Sequence, residues 1–155
     1  MNQASISITA RQACLADLNE LAGLFDAYRQ FYGRPSDLSA AASFLRERFN
    51  HGQSVLFVAH AGTQPVGFAQ LYPSFSSVSL ARTYVLNDLY VDERHRRAGA
   101  GRLLLNTAAQ FAQAVGAVRL TLSTARNNTT AQSVYADAGW QRDEQFWVYH
   151  LPLSA

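Results

Sequence analysis

The sequence predicts a mixed α/β fold in which a central β-sheet of six to seven strands is flanked by about four helices. Three observations carry that expectation. Apolar alternation and helical periodicity take turns along the chain in the order β-α-α-β-β-β-α-β-α-β-β. Glycine closes each helical stretch in turn, at Gly33, Gly52, Gly116 and Gly139. The strand–helix–strand unit over 84–122 demands a parallel crossover, whereas the earlier strands suit antiparallel pairing.

Ile6 and Ile8 alternate with serine and threonine and predict a short first strand. Leu18, Leu21, Ala22, Phe25 and Tyr28 recur at helical spacing, with Asp17 expected as the N-cap and Gly33 and Pro35 as the stop. Ala42, Leu45 and Phe49 mark a second helix that ends near Gly52. Strands over 55–60 and 66–71 follow as a hairpin, with Gly62 and Pro65 between them. The serine-rich stretch 73–83 is expected to start irregular, and 84–91 to be the fourth strand. A third helix covers 101–115, its face made by Leu104, Ala108, Phe111 and Val115. Val118, Leu120 and Leu122 alternate as a fifth strand, and a last helix covers 129–138. One or two strands are then expected, with Phe146, Val148 and His150 on one side and Trp147 and Tyr149 on the other.

One domain is expected over 1–155, a length that allows a substantial core. Hydrophobic residues make up 48% and charged residues 15%, which excludes a disordered chain. The net charge of +2, from 13 basic and 11 acidic residues, is too small to argue for a nucleic-acid or membrane partner. The single cysteine, Cys14, allows no internal disulfide and suits a reducing cytoplasm. The first residues have no apolar signal core, and no stretch is long enough to span a bilayer, so a soluble cytoplasmic protein is expected. The four histidines, 51, 60, 95 and 150, lack ligand spacing, so no metal is expected.

The most informative stretch is Arg96-Arg97-Ala98-Gly99-Ala100-Gly101, at the entrance to the third helix. The first amides of a helix have no intrahelical partner and sit at the positive end of its dipole. Glycines there let phosphate oxygens reach the backbone, and Arg96, Arg97 and Arg102 add charge, so the turn reads as a phosphate-binding loop. Two familiar loops do not fit. A Walker A loop needs Gly-Lys-Ser/Thr, but Gly101 is followed by Arg102 and Leu103. A dinucleotide fingerprint needs a third glycine where Leu104 stands.

The stretch Leu-Tyr-Val-Asp-Glu-Arg-His-Arg-Arg-Ala-Gly-Ala-Gly resembles the acetyl-CoA loop of the GNAT superfamily of N-acetyltransferases, with Arg96, Gly99 and Gly101 on its Gln/Arg-x-x-Gly-x-Gly/Ala signature. Downstream, Asn128, Ala131, Tyr135, Gly139 and Trp140 fall in register with that family's Asn-x-x-Ala-x-x-x-Tyr-x-x-x-Gly-aromatic segment, tryptophan standing where phenylalanine is more usual. The resemblance covers nearly the whole chain. It implies that Arg97, Ala98, Gly99, Ala100, Gly101 and Arg102 bind the pyrophosphate of coenzyme A, with Arg96 beside them. It also implies a bulged fourth strand splayed from the fifth. Leu89, Tyr90 and Val91 would then line the pantetheine arm, the Leu89 amide would polarise the thioester carbonyl, and Asn128 and Tyr135 would complete the coenzyme site.

Acetyl transfer to an amine requires that the amine lose a proton and the departing thiolate gain one. An alkylamine with a pKa of about 10.4 is neutral in roughly one molecule in a thousand at pH 7.4, a penalty of about 4 kcal/mol. The same resemblance implies that Tyr135 stands beside the coenzyme's sulfur, which makes it the expected acid, because a phenol is protonated at neutral pH and close to a thiol in acidity. Asn87 and Asp88 interrupt an apolar strand, and adjacent strand residues are expected on opposite sides. Leu-Asn-Asp-Leu-Tyr-Val is similar to the segment of the spermidine/spermine-type diamine acetyltransferases that carries Leu-Glu-Asp before an aromatic pair. Asp88 matches the acid and is expected to hold or deprotonate the substrate ammonium, directly or through water, while Asn87 replaces the glutamate and cannot be a base. Tyr28 and Tyr32 end the first helix and are expected at the acceptor site, where aromatic faces receive alkylammonium groups.

These readings converge on direct transfer of acetyl from acetyl-CoA to a small primary amine such as a polyamine, with no acyl-enzyme. A protein lysine or N-terminal amine, or an aminoglycoside, is the alternative acceptor. The alternative of another class is a non-catalytic acyl-CoA-binding module. The apolar segment 145–153 has the character of a shared edge, and a homodimer is an expected assembly.

Overall fold

The computed structural model describes residues 5–154. The chain divides into two compact units, 1–123 and 124–155. The first unit contains strand β1 (Ile8–Gln12), helices α1 (Leu18–Phe31) and α2 (Leu38–Asn50), strands β2 (Val55–Ala61), β3 (Gln64–Ser76) and β4 (Ala81–Val91), helix α3 (Ala100–Ala114) and strand β5 (Arg119–Thr121). Short 3-10 turns precede α1 (Leu15–Asp17) and follow β4 (Glu93–His95). The strands lie side by side in the order β1-β2-β3-β4-β5, antiparallel up to β4 and parallel between β4 and β5. The fold is thus the expected mixed α/β arrangement, with five strands in its sheet rather than six or seven.

The two faces of the sheet follow from alternation in β2. Leu56 and Val58 join Leu18, Leu21, Ala22 and Phe25 of α1, Ala41 and Leu45 of α2, and Phe68 of β3 in one buried cluster. Phe57 turns the other way, against Phe111 of α3 at 5.5 Å between ring centroids, and Tyr84 of β4 meets the same ring at 5.6 Å. Gly67 lets these layers close up: a Cβ there would stand 2.8 Å from the Tyr90 carbonyl oxygen and 3.4 Å from Leu104 Cδ1.

Residues 73–83, expected to start irregular, instead continue β3 and open β4 around a turn at 77–80. Pro73 is tolerated because β2 has ended: its last pair with β3 is Val55–Leu71, so a missing N–H on that side costs no ladder bond. β1 begins at Ile8 rather than Ile6.

Asp17 does not cap α1 as expected. Its carboxylate accepts instead from the Cys14 amide at 2.8 Å and from both terminal nitrogens of Arg11 at 2.8 Å, tying β1 to the turn before α1. Asp37 does cap α2, accepting from the Ala40 amide at 3.0 Å.

In the second unit, α4 (Thr129–Asp137) starts at Asn128, whose side-chain oxygen accepts from the Ala131 amide at 3.2 Å. No strand forms among the described residues after α4, contrary to expectation. Phe146, Trp147, Val148, Tyr149, Leu151 and Leu153 are each at least 74% exposed. Their pattern carries β propensity, but a strand also needs a neighbour for its backbone, and no ladder reaches this run. Among the described residues no helix is long and apolar enough to cross a membrane.

The Arg11 pairing holds the Asp17 carboxyl well below the usual carboxylate range. A carboxylate depressed on folding stabilises the fold above its unfolded pKa and loses that contribution as pH falls through its folded value. Asp17→Asn should therefore cost about 1–2 kcal/mol at pH 7, a figure discounted because half of Arg11 is in solvent, and the gap to the parent should shrink steadily below about pH 4 in urea denaturation.

Candidate active site

The site is built around one irregularity in β4. Gln70 of β3 pairs with Asp88 but Leu71 pairs with Leu86, so Asn87 is an extra residue on β4. The bulge reverses the alternation. Tyr84 points to the α3 face, onto Phe111, whereas Tyr90, also an even-numbered residue, points to the α1 face, where its ring lies 6.3 Å from Tyr28 and 6.4 Å from Phe68. Asp88 follows Tyr90 to that face and reaches a cleft of about 520 Å³.

Phe25, Tyr28, Arg29, Tyr32 and Arg34 from α1 and its following turn, Ala40, Ala41 and Phe44 from α2, Tyr72 from β3, and Asn87 and Asp88 line this cleft. The four residues expected to bind substrate, Tyr28, Tyr32, Asn87 and Asp88, therefore share one cavity. Asn87 and Asp88 were expected on opposite sides of the strand; the bulge brings both to the cleft. Asp26 secures the cleft wall, for its carboxylate accepts from Ser36 Oγ at 2.6 Å, the Asp37 amide at 2.8 Å and Gln30 Nε2 at 3.1 Å, which fixes the α1–α2 loop.

Asp88 is only 3% exposed. Gln70 Nε2 donates to one of its oxygens and Asn87 Nδ2 to the other at 2.9 Å. Gln70 is itself fully buried, and its Oε1 has no hydrogen-bond partner. The Asp88 charge reaches two phenols. Desolvation first, then the neighbouring carboxylate, push the Tyr28 and Tyr72 hydroxyls far above the usual tyrosine range, so both remain protonated donors beside the acid. The Tyr28 hydroxyl also stands 3.5 Å from the Asn87 carbonyl oxygen. Sequence reading had not singled out Gln70, Tyr72, Arg29 or Arg34. For Gln70 a signal was available: an amide inside the apolar run Val66-Gly67-Phe68-Ala69-Gln70-Leu71.

The bulge also shapes the outer edge of β4. Pairing with β5 covers only Thr83, Tyr84 and Val85 and stops two residues short of Asn87. The Asp92 amide donates to Val66 on β3, so by alternation Tyr90 and Asp88 turn their backbone groups to β3 while Leu89 and Val91 turn theirs to the open edge. Arg96 Nε occupies the Val91 carbonyl at 3.0 Å, and its guanidinium lies over Phe31 at 5.6 Å and Tyr90 at 5.7 Å. Arg96, expected on the coenzyme, also braces β4 against the end of α1.

Two residues in the left-handed region bend the chain into α3, Arg97 at φ 66° and Gly99 at φ 84°. No side chain caps the helix, and its first bond runs from the Leu103 amide to the Gly99 carbonyl at 3.0 Å, so the amides of Gly99, Ala100 and Gly101 precede the ladder. A Cβ on Gly101 would meet nothing closer than Val91 Cγ2 at 3.9 Å. The fold does not need glycine at 101, whereas a ligand lying against the backbone would. In the second unit Tyr135 packs its half-buried ring against Trp140, 6.2 Å between centroids. Among the described residues no group of three His, Cys, Asp or Glu side chains forms a metal site.

Removing the Gln70 amide should leave the buried Asp88 carboxylate short of a donor and cost about 1.5–3 kcal/mol. The same Gln70→Leu change made in an Asp88→Asn protein should cost at least about 0.5 kcal/mol less, a coupling that a double-mutant cycle in urea would read out.

Comparisons with known proteins show the family of the chain. The model of the acetyltransferase (GNAT) family matches residues 21–140. The chain is 43% identical over 145 residues to an uncharacterized N-acetyltransferase, YhfO, of Bacillus subtilis, covering 94% of this chain and 97% of that one. It is 28% identical over 139 residues to a probable acetyltransferase of Haemophilus influenzae, covering 89% and 93%. A crystal structure of a probable acetyltransferase superposes with a TM-score of 0.90 at 43% identity, over 95% of this chain and 99% of that chain. Glycine-cradled amides, an open strand edge and a buried acid thus occur in a chain that belongs to the GNAT acetyltransferase family and is an acetyltransferase enzyme.

Proposed function

We propose that the chain is one acetyl-CoA-dependent N-acetyltransferase domain over 1–155 that acts on a small primary amine by direct attack in a ternary complex. The family match runs across both compact units, which supports a single catalytic domain. The observation that carries the reading is the Asn87 bulge, which gives β4 a free backbone edge on one side and a buried carboxylate in an aromatic cleft on the other.

In this reading the amides of Gly99, Ala100 and Gly101 hold the pyrophosphate of acetyl-CoA, with Arg97, Ala98 and Arg102 around them. The open edge at Leu89 and Val91 receives the pantetheine arm, with Tyr90 between them, and Asn128 and Tyr135 are the remaining coenzyme residues of this reading. The space above Gly101 suits such a ligand. The amine enters the cleft lined by Tyr28, Tyr32 and Asn87, and its ammonium meets Asp88. Asp88 takes the amine proton, directly or through a water bonded to Gln70 Oε1, and passes it to solvent. The amine nitrogen attacks the thioester carbonyl carbon, whose oxygen the Leu89 amide polarises. The N–C bond forms, the nitrogen gives its second proton to solvent, and the C–S bond breaks. Tyr135 protonates the leaving thiolate and recovers its proton from solvent, giving an N-acetyl amide, coenzyme A and one released proton.

No step calls for a metal ion. The similarity of the Asp88 segment to the diamine acetyltransferases supports Asp88 as the group that receives the acceptor's ammonium. A homodimer in the cytoplasm suits the exposed apolar run at 146–153 and the lone thiol of Cys14.

Thiol release from acetyl-CoA across a panel of amines tests the reading. Tyr135→Phe should lower kcat by about 10²–10⁴-fold while acetyl-CoA binding by calorimetry stays within about twofold. Coenzyme binding with no amine turned over would instead make the protein a binder.

A further inference from the structure

The charges on the cleft wall narrow the acceptor beyond a generic amine, and the argument rests on the acetyltransferase reading of the site. Three charged side chains line the cavity: Asp88, Arg29 and Arg34. Asp88 is the one carboxylate, and its two oxygens are held by Gln70 and Asn87 at the base. It can neutralise one ammonium. A second ammonium on the same molecule would meet two guanidinium groups instead of another acid.

Arg29 is short of partners where it stands. Its Nη1 is buried and has no hydrogen-bond partner. The nearby acid, Asp26, takes its hydrogen bonds from Ser36, Asp37 and Gln30 and reaches Arg29 only through its charge. The other cation close to Tyr72, Arg48, is accounted for: it pairs with Glu47 at 2.8 Å, donates to Gln53 at 2.8 Å and lies over the Phe44 ring at 4.8 Å. A guanidinium with unmet donors beside an aromatic cleft matches a planar carboxylate, which it can hold through two parallel hydrogen bonds. Phe25, Tyr28, Phe44 and Tyr72 supply apolar surface in the same cleft.

We infer that the acceptor is a zwitterion: an amino carboxylate of amino-acid size whose ammonium meets Asp88, whose carboxylate meets Arg29 with Arg34 behind it, and whose apolar side chain lies on the cleft aromatics. The cleft selects against diamines and polyamines because its charged lining is one carboxylate and two guanidinium cations. The reaction is unchanged in its atoms. The amino nitrogen gains the acetyl group, coenzyme A leaves as the thiol, and the carboxylate stays ionised throughout.

The test measures thiol release with an aromatic amino acid, an aliphatic amino acid, the carboxamide of each, an aminoalkyl phosphate and 1,4-diaminobutane. The parent enzyme should show a higher kcat/KM for each acid than for its amide or the diamine. Arg29→Gln should shrink the acid-to-amide ratio by about ten- to a hundredfold, mostly through KM, and Arg29→Lys should retain part of it. Thermal melts of both variants report whether they fold, and taking the ratio within each protein cancels a general loss of activity. A parent preference for the diamine or the aminoalkyl phosphate, or a ratio that Arg29→Gln leaves in place, overturns the inference while the acetyltransferase reading stands. Absence of turnover with every amine overturns both.

Discussion

One inserted residue organises this molecule. In a regular strand, residues 84, 86, 88 and 90 would share a face, and Asp88 would point into the apolar layer between the sheet and α3, where an unpaired carboxylate is costly. Asn87 breaks that parity. Upstream of it, Tyr84 packs under α3 and β4 pairs with β5; downstream, Tyr90 packs under α1 and the pairing with β5 is over. The same event delivers an acid to one face and frees two residues' worth of backbone at the edge. An acetyl donor and an amine must approach one point from different directions, and a bulge in a shared strand meets that requirement with a single backbone device.

The surroundings of the bulge keep it in place. Asn87 satisfies part of Asp88 while Gln70 satisfies the rest from β3. Arg96 ties the far end of β4 to the chain leading into α3 through the Val91 carbonyl, and its guanidinium bridges the rings of Tyr90 and Phe31. Gly67 allows β3, β4 and α3 to approach more closely than any larger residue would. These contacts fix the strand edge and the helix entrance relative to each other, which is the geometry that holding a phosphate at one place and a thioester at another demands.

Much of this was legible in the sequence, and the parts that were not have a common cause. Helix ends at Gly33, Gly116 and Gly139 could be read because left-handed backbone is a local property, and all three have positive φ. The glycine–arginine turn could be read for the same reason. Cleft membership could not: Arg29 on α1 and Tyr72 on β3 share a cavity with Asp88 only through tertiary packing, which no short-range pattern encodes. The joint presence of Asn87 and Asp88 at the cleft was hidden because the bulge suspends the two-residue rule on which facing is judged. Asp17 looked like a helix cap, but Arg11 two strand positions before Ala13 outcompetes the helix amides for its carboxylate. The 146–153 run shows the limit of alternation, which states that a segment would make a strand but not which edge it would join.

The account depends most on β4 serving two substrates at once from the two sides of its bulge. A crystal structure with coenzyme A bound tests that directly. It should show the pantetheine hydrogen-bonded to the backbone of Leu89 and Val91, the pyrophosphate on the amides of Gly99–Gly101, and the sulfur on the opposite side of β4 from the Asp88 cleft yet open to it at the bulge. Coenzyme bound elsewhere, or β5 found paired with β4 past Val85 so that the edge is closed, would contradict it.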